Sequence, residues 1–180
     1  KRKIMFELVK LIDKHIQRPT IMVETYMENF NPDSLIAKID NELKKDNNLN
    51  YVTNVKGEMT NWDAFTKDTE FNSIIQKNAF ILSNAIGEDS FVLEQAWGIK
   101  LTGRQLVRKH KHEKHWLSGV FYLSNTSQEL FFEEINLSIK PKVGTFIVFD
   151  AHLFHQTRNF VGEDVKYAIA FNLGRITEAY

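Results

Sequence analysis

The chain has 180 residues, with 23 lysines and arginines balanced by 23 aspartates and glutamates, six histidines and no cysteine. That length suits a single domain (1–180) with a sizeable core, and the even charge balance gives no general basis for binding nucleic acid, so that partner is not expected. Without cysteine, disulfides, thiolate zinc sites, iron–sulfur clusters and thiol nucleophiles are excluded, so any metal must be held by His, Asp or Glu.

No apolar run approaches the roughly 20 residues of a membrane span. The basic start Lys1-Arg2-Lys3 is followed too soon by Glu7, Lys10 and Asp13 to resemble a secretory leader, which makes the cytoplasm the expected location. In chain order, Ile4 to Ile16 predicts an amphipathic helix, because Met5, Leu8, Leu11, Ile12 and Ile16 recur at helical spacing. Ile21 to Tyr26 predicts a strand. Asn31-Pro32-Asp33 predicts a helix start with Asn31 as cap and Pro32 in the first position, followed by a buried stripe of Leu35, Ile36, Ile39 and Leu43. Tyr51 to Trp62 is compatible with a hairpin turning at Lys56-Gly57. Phe71 to Ile86 is the clearest helix, with Ile74, Ile75, Ala79, Leu82 and Ile86 on one face and Gly87 as its stop. Residues 1–90 thus read as a mainly helical support region, and the loop from Asn54 to Phe65 is a candidate border of a substrate entrance.

From Phe91 the pattern becomes strand-like. Phe91–Lys100 and Gln105–His112 predict two strands with Thr102-Gly103 in the turn between them. Leu117–Leu123, Leu130–Glu133, Ile135–Ile139, Thr145–Phe149, His152–Asn159 and Val165–Leu173 follow, with turns at Lys140–Gly144 and Val161–Asp164. Short strands with frequent turns predict a sandwich, jelly roll or small barrel. Helices first and strands after predict an α+β fold with the helices packed on one sheet.

Two stretches carry chemistry. His110-Lys-His112-Glu-Lys-His115 places three histidines within six residues, directly before an apolar strand. Alternate side chains of an extended segment point the same way, so His110 and His112 can reach one ion, and neutral imidazole is a common ligand for iron, copper, zinc and nickel. Phe146 to Thr157 then brings His152 and His155 to a strand-to-strand corner. Eleven positions after His155 comes Lys166-Tyr-Ala-Ile-Ala-Phe-Asn172. In that strand Tyr167, Ile169, Phe171 and Leu173 form an apolar face. Lys166, Ala168, Ala170 and Asn172 form the other, with room for a small anion beside the two alanines.

The ordered set of His110-x-His112, the strand ending Phe121-Tyr122-Leu123, the turn Pro141-Lys-Val-Gly144, the apolar Ile147-Val148-Phe149, His155 and Lys166 resembles the Fe(II)/2-oxoglutarate-dependent oxygenases. It is most similar to their prolyl-hydroxylase-like branch, including members from marine bacteria and phages, and the likeness covers roughly residues 92–175. The resemblance implies a double-stranded β-helix (jelly-roll) catalytic core over residues 91–180. It implies Fe(II) held by His110, His112 and His155, and 2-oxoglutarate bound by Lys166 and Tyr122, with Val120, Leu130 and Ala170 beside it. Asn172, Trp116 and Glu113 are implied as pocket lining. Where the family usually places Asp, this chain has His112. Glu113 and His115 are therefore alternatives for completing the ligand set, and His152 reads as a loop residue. The implied activity is hydroxylation of a small molecule or peptide by molecular oxygen, with 2-oxoglutarate decarboxylated to succinate and carbon dioxide. The rival readings are a cupin-like three-histidine metalloenzyme that works without 2-oxoglutarate and a non-catalytic jelly-roll binding module.

Overall fold

The computed structural model of the chain describes residues 7–8, 11–12, 19–20, 22–45, 53–87, 91–158 and 162–176. In chain order the elements are β1 (Glu7–Leu8), β2 (Leu11–Ile12), β3 (Pro19–Thr20), β4 (Met22–Tyr26), α1 (Asp33–Leu43), β5 (Val55–Lys56), β6 (Glu58–Met59), α2 (Thr69–Ile86), β7 (Phe91–Leu101), β8 (Leu106–Val107), β9 (Leu117–Tyr122), β10 (Glu129–Phe132), β11 (Leu137–Ile139), β12 (Thr145–Asp150), β13 (His155–Arg158) and β14 (Lys166–Arg175).

Seven strands form one sheet in the order β1-β4-β12-β9-β14-β7-β6, and the pairs between them are antiparallel. A three-stranded sheet β11-β10-β13 and the pair β5-β8 are separate from it. This is the sheet-on-sheet jelly roll with helices on one side. One face of the large sheet carries Val23, Leu117, Phe121, Phe146, Val148, Ile169, Phe171 and Leu173, which bury against Leu35 and Ile39 of α1 and Phe71, Ile74 and Leu82 of α2. The other face carries Met22, Tyr122, Ile147, Phe149 and Ala168, which meet Leu130, Phe132 and Ile139 of the small sheet. Alternation along each strand produces this division, and β14 divides as its sequence predicts.

The helices form where periodicity and caps agree. In α2 the Asp68 carboxylate accepts the Phe71 N–H at 2.8 Å, and Gly87 closes the helix in the left-handed region at φ 71°. Asn78 is buried among its apolar residues because both ends of its amide are occupied. Its Oδ1 accepts the Thr25 hydroxyl at 2.7 Å and its Nδ2 donates to the Ile74 carbonyl at 2.9 Å, which ties α2 to β4. In α1 Pro32 is the cap, one residue later than expected, while the Asn31 side chain accepts the Asp33 N–H at 2.9 Å.

Several elements differ from their sequence patterns. The described residues of the expected helix at Ile4–Ile16 are strands: β1 pairs with β4 and β2 with β3, and the rest of that segment lies outside the described residues. Pairing with an open sheet edge outweighs a helical spacing of apolar residues. Lys56-Gly57 is not a hairpin turn. β5 pairs with β8 and β6 with β7, so the chain passes between sheets at Gly57. β8 is two residues long rather than running to His112, and it pairs with β5, not β7. β13 begins at His155 because residues 151–153 are still turning. The first ninety residues also do more than support, since β4 and β6 flank the large sheet's other strands.

Gly119 is required by close approach. A Cβ there would stand 2.2 Å from Cζ of Phe171 on the neighbouring strand. Gly119→Ala is expected to destabilise the protein by roughly 1–3 kcal/mol through overpacking, read as a lower midpoint of urea unfolding with an unchanged slope.

Candidate metal centre

β8 hands the chain to an extended run from Arg108 to His112. His110 forms an isolated antiparallel bridge with His155: His110 N donates to His155 O at 3.1 Å and His155 N to His110 O at 2.9 Å. Two residues on, the His112 N–H donates to Ala151 O at 2.8 Å. These bonds hold two separate segments side by side, with their imidazoles on the same side. The ring centroids lie 4.2 Å apart for His110 and His155, 4.9 Å for His110 and His112, and 5.4 Å for His112 and His155. One ring nitrogen from each falls within 4.8 Å of the others.

Backbone carbonyls set two of the rings. His110 Nδ1–H donates to Arg108 O at 2.8 Å and His155 Nδ1–H to Leu153 O at 2.9 Å, which leaves each Nε2 as a lone pair. His112 rests on a side-chain network. Its Nδ1 is 3.4 Å from Asn172 Nδ2, and that amide also donates to Gln95 Oε1 at 2.8 Å and accepts the Ser118 hydroxyl at 2.7 Å. Phe149 presents its ring to His155 at 4.7 Å. Burial holds all three imidazoles below their usual range. His112 is lowered to about 3, first by burial and then by its neighbours His110 and His115. All three are neutral at physiological pH and carry the lone pairs a cation needs.

The histidines stand at one end of a cavity of about 260 Å³ between the two faces. At its other end is Lys166, only 4% exposed, with its Nζ 5.3 Å from the ring centre of Tyr122. No carboxylate pairs with Lys166 among the described residues, and burial lowers its pKa to about 8. The Tyr122 hydroxyl is buried without a hydrogen-bond partner, and burial raises its pKa. Between the ends lie Val120, Leu130, Ala168 and Ala170. Tyr122 sits beside Ala168, Val120 beside Ala170 and Ser118 beside Asn172 on the paired strands β9 and β14.

Three expected positions fall elsewhere. Trp116 packs with the core on the helix side, with Arg175 over its ring at 4.5 Å, because its place before β9 turns it away from the cavity. The Glu113 side chain is 66% exposed and pairs with Lys111 at 2.7 Å, because the chain turns at Glu113-Lys114 and leaves it outside the cavity. Asn172 is buried behind His112 rather than on the cavity wall. His115 bonds to Glu94 at 2.5 Å and stays outside the cluster. The cluster contains no carboxylate. Sequence reasoning passed over Lys111 and Gln95, took in Trp62 only as part of the Asn54–Phe65 loop, and read Trp97 as packing. Trp62 and Trp97 meet edge-to-face at 4.7 Å, and both line the cavity with Lys111. The alternation of β7, which puts Trp97 and Gln95 on the face opposite Ala96, carried that signal.

No family model matches the sequence, and no curated protein does. Solved structures match the fold. A viral collagen prolyl hydroxylase from Paramecium bursaria Chlorella virus-1, in complex with 2-oxoglutarate, aligns with TM-score 0.64 and 19% identity over 86% of this chain and 94% of that one. The chain has the fold of the 2-oxoglutarate/Fe(II) oxygenases. A Pseudomonas putida prolyl-4-hydroxylase aligns with TM-score 0.62 and 11% identity over 87% of this chain and 93% of its own. HygX from Streptomyces hygroscopicus, crystallised with nickel, 2-oxoglutarate and hygromycin B, aligns with TM-score 0.66 and 9% identity over 87% and 83%.

Three neutral histidines, His155 buried and His110 and His112 half-buried, make the metal-free protein acid-sensitive. Each takes up a proton near pH 6.5 when unfolded but only at lower pH when folded. Stability is therefore whole above about pH 6.5 and declines as pH falls below it. Melting temperature measured against pH should fall less steeply for His112→Gln than for the wild-type protein.

Proposed function

We propose that the protein is an Fe(II)- and 2-oxoglutarate-dependent dioxygenase that hydroxylates its substrate. The observation that carries this reading is the pairing of two features across one cavity. A three-histidine cluster stands at one end, and an unpaired buried lysine with an orphaned tyrosine hydroxyl stands at the other. An interior cation without a counter-charge is costly. An apolar channel that ends in a cation and a free hydroxyl suits a carboxylate whose other end reaches a metal. The fold shared with enzymes crystallised with 2-oxoglutarate supports the same reading.

In this mechanism His110, His112 and His155 would hold Fe(II), and three protein ligands leave positions for a keto acid and oxygen. Lys166 would pair with the far carboxylate of 2-oxoglutarate and Tyr122 would donate its hydroxyl to it. Val120, Leu130 and Ala170 would shape the space between and keep water out. The bound iron supplies oxygen activation, coupled to decarboxylation of the keto acid to succinate and carbon dioxide. The protein's part would be to orient the two ligands and to hold a substrate C–H bond in the same cavity, where Trp62 and Trp97 form part of the wall. The carboxylate-free cluster favours a second reading, a three-histidine metalloenzyme that binds substrate directly. That reading leaves Lys166 without a purpose.

The test is anaerobic. Fe(II) followed by 2-oxoglutarate should give the weak visible charge-transfer band of the chelate. Lys166→Ala should need at least about tenfold more 2-oxoglutarate for half the signal, the loss expected for a charge-assisted hydrogen bond. Iron uptake without a band at any concentration would sink the proposal and favour the second reading. The lysine also sets a pH dependence. Its pKa near 8 should rise when the carboxylate arrives, so affinity for 2-oxoglutarate should be steady below about pH 8 and fall above it.

A further inference from the structure

Trp97 carries a polar group that the fold leaves unused. The residue is 4% exposed, it lines the cavity, and its indole N–H is buried without a hydrogen-bond partner. An unpaired buried donor is costly, and phenylalanine would fill much of the same space without that cost. Among the described residues Thr66, Ser127 and Gln128 also hold an unpaired buried atom, but none of them lines the cavity. Within it, the Trp97 N–H is the second such donor after the Tyr122 hydroxyl.

The sheet sets where the two donors stand. On β14, Ala168 lies between Tyr122 of β9 and Ile99 of β7, Ala170 between Val120 and Trp97, and Asn172 between Ser118 and Gln95. The Asn172 row supports His112, and the Tyr122 row carries Lys166 Nζ over its ring. Trp97 belongs to the row between them, two residues or about 7 Å from the Tyr122 row along the sheet. Its ring centre is 6.0 Å from that of His112. A ligand with a single acceptor satisfies one of these donors, whereas a ligand with an acceptor at each end satisfies both.

The indole is also held in place. Residues 60–65 run along the outer side of β7 and bond to it on either side of Trp97. The Ala96 N–H donates to Trp62 O and the Gly98 N–H to Thr60 Oγ1, each at 2.9 Å, while the Thr60 and Phe65 N–H groups donate to Gly98 O and Ala96 O at 3.0 Å. This loop brings Trp62 edge-to-face onto Trp97. A donor fixed before its acceptor arrives loses little freedom on binding.

We propose that the Trp97 indole N–H binds 2-oxoglutarate, donating to an oxygen of its keto-acid carboxylate while Lys166 and Tyr122 hold the far one. The inference rests on the cosubstrate reading and adds to it the residue that recognises the second carboxylate. Lys166 and Tyr122 alone suit any carboxylate; Trp97 makes the cavity selective for a short chain with an acceptor at each end. Trp62 is a positioning residue that acts by orienting the Trp97 ring.

The experiment follows the indole N–H signals of the three tryptophans by nitrogen–proton NMR in protein loaded with Zn(II), a diamagnetic ion. Spectra of Trp62→Phe and Trp116→Phe leave the third signal as that of Trp97, so the assignment does not require a folded Trp97 variant. 2-Oxoglutarate should move the Trp97 proton downfield in a saturable way, and further than it moves that of Trp116. In the Fe(II) charge-transfer titration, Trp97→Phe keeps a ring and loses the N–H, and it should need about tenfold more 2-oxoglutarate for half the signal, the loss expected for a hydrogen bond to a charged group. Its ligand-free melting temperature shows whether the fold is intact. A Trp97 signal that stays in place at saturating 2-oxoglutarate would overturn the inference, and so would a folded Trp97→Phe that binds 2-oxoglutarate as tightly as the wild-type protein. A charge-transfer band with an unmoved Trp97 signal means that this inference alone has failed. The absence of any band means that the cosubstrate reading has failed and the inference with it.

Discussion

The two backbone hydrogen bonds between His110 and His155 are the constraint on which the candidate site depends. They are the link that fastens the run after β8 to the start of β13, and they are made by two of the three clustered residues. Main-chain pairing fixes Cα positions more firmly than side-chain contacts can, so the imidazoles are brought together before any ion is considered. The bond from the His112 N–H to Ala151 O ties the same run to the turn before β13. Outer partners then orient each ring: carbonyls for His110 and His155, and an amide network for His112. Backbone sets the position, and carbonyls set which nitrogen is free on His110 and His155.

The far end of the cavity is organised differently. The Tyr122 hydroxyl is buried without a hydrogen-bond partner, and Lys166 beside it has no carboxylate partner among the described residues, inside a wall of small and branched apolar residues. Native proteins pair their buried polar groups almost without exception, so two unpaired groups side by side indicate a missing partner rather than a defect. The smallness of Ala168 and Ala170 keeps the space beside them open. The bulk of Tyr167, Ile169 and Phe171 on the reverse face anchors the same strand to the helices.

Much of this was legible in the sequence because strand alternation is a local property. The two faces of β14, the helix with Gly87 at its end, and the joining of His110, His112 and His155 all follow from spacing or from an ordered motif. What could not be read was decided by which strand lies beside which. Nothing local in Leu106-Val107 says that it pairs with Val55-Lys56 rather than folding back on β7. Trp116 lies four residues from a candidate ligand, yet the turn at Glu113-Lys114 delivers it to the helix side. The helical spacing at Ile4–Ile16 was real, but β4 offers an edge to which residues 7–8 pair.

The way the large sheet is assembled bears on where the chain can be divided. The pattern changes near residue 90, yet β4 hydrogen-bonds along one side of β12, and β6 along part of the outer side of β7. Excising the strand-rich half would leave β12 with an open edge of Ile147, Val148 and Phe149, and would bare the apolar face that α1 and α2 cover. Such an edge is a template for pairing with another copy. The two halves are better regarded as complementary fragments of one folding unit than as a cover and a core, and mixing them, rather than isolating either, is the arrangement in which each has its hydrogen-bonding partners.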